Sequence, residues 1–113
     1  MNYKFLLFCL TLSSYNLIKT EEIEYKLYFN INNKSRNELT GEGTDQLNSA
    51  ALADISNLSV DQQTTFKTTT DADRDTKAKT SCDEITSKVD PTKKNYGCIL
   101  ATTNNAFVSI IKN

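Results

Sequence analysis

The chain has 113 residues, with 13 Lys and Arg against 14 Asp and Glu, no histidine, three glycines and three cysteines. Without histidine, Ser-His-Asp and Cys-His catalysis are excluded, along with the usual near-neutral general base and the commonest zinc ligand. The glycines spell neither a phosphate loop nor a dinucleotide fingerprint, and the mildly acidic balance, free of any Lys/Arg cluster, argues against nucleic acid or anionic membrane as partner.

The chain opens MNYKFLLFCLTLSSYNLIKT. A single Lys4, an apolar run from Phe5 to Leu12, then small and polar residues is the order of a secretory signal peptide. The run is well short of the ~20 apolar residues of a membrane-spanning helix. No A-x-A site is present, so cleavage is expected between residues 13 and 20, and a cut after Thr20 releases a product starting at Glu21. Residues 21–113 are then one small secreted domain without a membrane span, near the size at which a single core barely suffices. Cys9 leaves with the signal, and Cys82 and Cys98 remain as a pair in an oxidising compartment. Asn33-Lys34-Ser35 and Asn57-Leu58-Ser59 are N-glycosylation sequons usable there.

Glu22 to Ile31 alternates strictly: Ile23, Tyr25, Leu27, Phe29 and Ile31 on one side, Glu22, Glu24, Lys26 and Asn30 on the other. Period two with aromatic and β-branched residues predicts a half-buried strand. NNKSRNELTGEG follows as a loop, with Gly41 and Gly43 marking a flexible connection. From Thr44 the period lengthens. Leu47, Ala51, Ile55 and Leu58 lie on one helical stripe, with Thr44 as its expected cap and Asp45 at its positive end. Ser59 to Gln62 is an S-x-x-Q capping box able to start a second helix, whereas the TTFKTTT after it is ambiguous between helix and strand.

Ala78, Cys82, Ile85 and Val89 form a further helical stripe, supported by acid-to-base pairs Asp73–Lys77, Asp75–Lys79 and Glu84–Lys88. Asp90-Pro91 ends that helix, since proline disfavours helical geometry in the residue before it. Tyr96 to Thr102 and Ala106 to Ile111 are apolar runs of strand length, joined by Thr103-Asn104-Asn105 as a hairpin turn. The predicted order is strand, helix, helix, strand, strand. That is a small single α+β domain with helices packed on an antiparallel sheet.

Val89-Asp90-Pro91-Thr92 and Cys98-Ile99-Leu100 resemble the helix-to-strand corner of a dynein light chain. The resemblance implies a cytoplasmic motor subunit with further strands. A secretion signal contradicts that destination and the later strands have no counterpart here, so the family is not adopted.

Asp71-Ala72-Asp73-Arg74-Asp75 matches the first acidic positions of a calcium loop, but Thr76 stands where the turn needs glycine and Cys82 where it needs glutamate. A salt-bridged helix face is the expected reading, and no cofactor or metal is implied. Cys82 and Cys98 are not spaced as C-x-x-C and read as a structural disulfide, not a reactive thiol. Tyr25 and Phe29 are expected in the core, with Tyr28 on the opposite face of the strand. The functional expectation is a secreted, disulfide-stabilised, non-catalytic protein that binds another, unknown extracellular protein. The alternatives are an extracellular carrier of a small apolar ligand and, third, a histidine-free enzyme working through carboxylates, lysine or tyrosine.

Overall fold

The alternating stretch forms strand β1, Ile23–Phe29, and it lies inside the sheet, not at an edge. The computed structural model describes residues 21–30, 32–92 and 96–112; the expected signal peptide with Cys9, Ile31 and the segment 93–95 lie outside the described residues. Four strands pair antiparallel in the order β2-β1-β3-β4, where β2 is Gln63–Thr68, β3 is Gly97–Thr102 and β4 is Phe107–Lys112. Three helices, α1 at Arg36–Leu39, α2 at Ser49–Ser56 and α3 at Asp71–Val89, complete a compact α+β domain.

The stripe Ala78, Cys82, Ile85 and Val89 lays α3 onto one face of the sheet, against Tyr25, Leu27, Phe29, Cys98 and Leu100. Leu27, Leu100, Ala78, Cys82 and Cys98 are fully buried there. Each large side chain so buried contributes about 1.5–3 kcal/mol of transfer free energy. Thr70 caps the helix, its hydroxyl accepting the Asp73 N–H at 3.1 Å. The expected stop at Asp90-Pro91 is where the helix ends. The expected pairs to Lys77, Lys79 and Lys88 are not the ones formed. Among the described residues the ion pairs of α3 are those of Arg74, with Asp71 at 3.2 Å and Asp75 at 3.0 Å, while Lys77 donates to the Lys67 carbonyl at 2.8 Å.

The opposite face is also covered, which the half-buried strand pattern did not foresee. Tyr28, Ile99 and Ala101 project there and pack with Leu39, Leu47 and Ala51. The sheet is thus the middle of three layers. This is why Cys98 to Ala101 is buried residue after residue, as expected of a strand with both faces covered.

Four local expectations change. NNKSRNEL contains a helical turn, α1, because Glu38 accepts the Ser35 N–H at 3.1 Å and Leu39 is buried beneath it. Hydrogen bonds to Ser35 hold the Glu38 carboxyl below its ordinary range. Thr44 is not the cap of α2; Asn48 is, its side-chain oxygen accepting the Ala51 N–H at 2.8 Å. The residues before it are drawn out of the helix by pairing elsewhere, Gln46 with Ala106 and Leu47 with Thr40. Tertiary pairing overrides the helical stripe at Leu47. The Ser59–Gln62 box yields only a 3-10 turn, Val60–Gln62, and the TTFKT of TTFKTTT joins β2, whose Phe66 stacks on Tyr25 with ring centroids 5.8 Å apart. In the β3–β4 hairpin, Asn105 takes the positive φ expected of asparagine, 66°.

Candidate functional site

The stretch from Ser81 to Cys98 is a helix–corner–strand unit closed by a Cys82–Cys98 disulfide, with Cα atoms 6.0 Å apart and a sequence separation of 16. Both half-cystines are fully buried. The Tyr96 hydroxyl donates to the Asp83 carboxylate across the same unit, and burial, then Asp83, pushes the phenol above its ordinary pKa. The Thr86 hydroxyl donates to the Cys82 carbonyl at 2.9 Å. With no free sulfur at either position, the pair is a staple and carries no thiolate chemistry.

The acidic run Asp71–Asp75 lies in the first turns of α3, where Arg74 sits between Asp71 and Asp75 and over the Tyr25 ring, 5.8 Å from its centroid. Helical geometry spreads these carboxylates instead of folding them into a loop. No group of three or more acidic or cysteine side chains converges as a metal site among the described residues.

Two features sequence reasoning did not locate remain. The first is a cleft of about 160 Å³ between α2 and the second face of the sheet. Leu39, Ala51, Ile55, Leu58 and Ile99 line it with apolar surface, and Asn30, Asn57 and Gln62 bring polar groups. A Lys34–Asp54 ion pair at 2.6 Å lies at its side, half open to solvent. Tyr28, only 4% exposed, also lines the cleft, and its burial raises the phenol pKa. The sequence hint was Tyr28 itself, a large aromatic on the face opposite the apolar alternation. A second, more polar depression of about 550 Å³ is lined by Arg36, Asn37, Thr40 and the loop Gly41–Asp45, none of which offers a large apolar side chain.

The second feature is the outer edge of β4. Its start is covered, since the Phe107 N–H donates to the Asp45 carbonyl at 2.6 Å and Arg36 stacks on the Phe107 ring. Beyond Phe107 no strand pairs with that edge among the described residues. Val108, Ile110 and Ile111 are only half-buried there. The other edge, β2, presents Gln63, Thr64, Thr65 and Lys67 instead. Asn33 and Asn57, the two sequon asparagines, are both exposed, and Asn57 borders the cleft.

Fold and surface together define a small three-layer α+β domain, stapled by one disulfide and open along one apolar strand edge. No family model, curated protein or solved structure matches the chain. No described helix is long and apolar enough to cross a membrane.

Proposed function

We propose that this is a secreted, disulfide-stabilised, non-catalytic protein that acts by binding another protein along the outer edge of β4. The observation that carries the reading is the contrast between the two sheet edges. An open strand edge is a row of unused backbone donors and acceptors, and natural proteins blunt such edges with charge, proline or a covering segment. β2 follows that practice with Lys67 inside the strand and Lys77 donating to its carbonyl, whereas the one charge of β4, Lys112, stands at its end and Val108 to Ile111 carries neither charge nor proline. Such an edge accepts an extended partner segment, with main-chain hydrogen bonds supplying affinity and alternate side-chain positions supplying specificity. The absence of histidine and the bonding of both described cysteines support a role without catalysis. At about 160 Å³ the cleft is smaller than the ~300 Å³ lower bound of ordinary ligand pockets, which weighs against a carrier of sizeable apolar cargo.

Site-directed photo-crosslinking on the oxidised, secreted protein tests this reading. A crosslinker at the exposed β4 residue Lys112 is expected to capture a discrete protein from the extracellular medium, one at the exposed Thr65 on β2 is not, and Ile110→Lys abolishes the Lys112 product. Equal capture from both edges overturns the assignment. A product made only of two copies of this chain replaces partner binding with self-association. Mass spectrometry of the same material is expected to find a chain lacking Cys9, and an intact Met1 removes the secretion argument.

A further inference from the structure

The cleft contains a polar group that the fold leaves without a use. Tyr28 is almost wholly buried, yet its hydroxyl makes no hydrogen bond among the described residues. A buried phenol hydroxyl normally finds a partner, because leaving it unpaired forfeits its hydration. Tyr28 is one of the residues that line the cleft.

The dimensions select the occupant. A dry apolar cavity of about 150 Å³ accommodates a benzene molecule, so a cleft of about 160 Å³ has room for one ring. Its apolar walls come from Leu39, Ile55, Leu58 and Ile99. The neighbouring charges, Lys34 and Asp54, neutralise each other at 2.6 Å and do not select an ion. Neutral, ring-sized and apolar at one end are therefore the properties the walls favour, with an acceptor atom at the other end for the phenol.

We infer that this cleft is a binding site for a compact, uncharged amphipathic molecule of single-ring size, which accepts a hydrogen bond from the Tyr28 hydroxyl while its apolar body packs on Ile55, Leu58 and Ile99. The site lies on the second face of the sheet and does not depend on partner binding at the β4 edge. Asn30, Asn57 and Gln62 also border the cleft, so the Tyr28 contribution has to be isolated by substitution.

Benzyl alcohol and toluene are suitable probes, because both carry the ring and only the first carries the acceptor. Titration of the oxidised protein, followed by methyl NMR, is expected to move the Ile55, Leu58 and Ile99 signals with both probes. Tyr28→Phe is expected to weaken benzyl alcohol about 2- to 10-fold, the range of one hydrogen bond, and to leave toluene unchanged or tighter. Equal benzyl alcohol affinity in the two proteins overturns the inference, as does an absence of shifts at those methyls. Intermolecular NOEs in the wild-type protein supply a check independent of the variant. Contacts from the benzyl CH₂ to the Tyr28 ring support the site, and contacts confined to any other surface defeat it.

Discussion

Opening the Cys82–Cys98 bond is expected to lower stability by about 3 kcal/mol. A cross-link between residues 16 apart removes loop-closure entropy from the unfolded chain, and the chain-entropy relation gives that figure at 25 °C. For a domain holding about 5–10 kcal/mol in total, this is a large share. The melting temperature should fall by roughly 12–24 °C, at about 4–8 °C per kcal/mol. The cleanest comparison is oxidised against reduced wild-type protein, because reduction keeps both sulfurs in the core and changes only the cross-link. Cys82→Ala, Cys98→Ala and the double variant then add a packing loss at two fully buried positions. Each single variant should lose nearly as much as the double, since either one destroys the bond. Urea unfolding with matched m-values measures the differences. A reduced protein within about 0.5 kcal/mol of the oxidised form would refute the reasoning, by showing that the unfolded chain gains no freedom when the loop opens.

Three other outcomes follow from the same structure. Asn48→Ala removes the cap of α2 together with the side-chain donation to the Glu38 carbonyl at 2.9 Å, and should cost about 1–2 kcal/mol in thermal or urea unfolding. Ser109→Ala deletes a sealed, unpaired hydroxyl and should leave stability unchanged or raise it by up to ~1 kcal/mol, so a clear loss would reveal a missed partner. Burial raises the pKa of Tyr28, and burial with Asp83 raises that of Tyr96, so both phenols hold their protons more tightly in the folded state. Their contribution is complete below the unfolded phenol value of 10.0 and is lost as pH rises through the folded values. Melting temperature should therefore decline above about pH 10, and Tyr28→Phe should shallow that decline.

The elements legible in sequence were those whose signal is local. β1 shows period two and α3 shows a stripe of Ala78, Cys82, Ile85 and Val89, and both formed where their patterns placed them. The staple was legible from the cysteine count together with the expectation of an oxidising compartment, and the hairpin turn from the tolerance of Asn105 for positive φ. What was not legible depends on distant partners. Leu47 fits a helical stripe, yet Gln46 and Leu47 pair with Ala106 and Thr40 and lie outside the helix. Thr64 to Thr68 has little apolar content of its own and becomes a strand because β1 offers it an edge. The cleft draws on β1, β3, α2 and the turns between them, so no run of residues announces it. Only Tyr28, an aromatic residue on the nominally polar side of β1, hinted that the second face was covered.

The sheet order has a consequence for how the chain acquires its shape. β1 is made first but lies between β2 and β3, and its partners in β3 stand 69 to 77 residues further along the chain. Until those residues emerge, one side of β1 stays unpaired. Contacts of such long separation are slow to form, because loop closure is costly before the pairing can reward it. Cys98 lies within β3, so its approach to Cys82 coincides with the docking of that strand beside β1. Oxidation is then expected late, as a lock on a sheet already assembled. Pulse-labelling of free thiols during refolding should show both cysteines reactive until the slow phase ends.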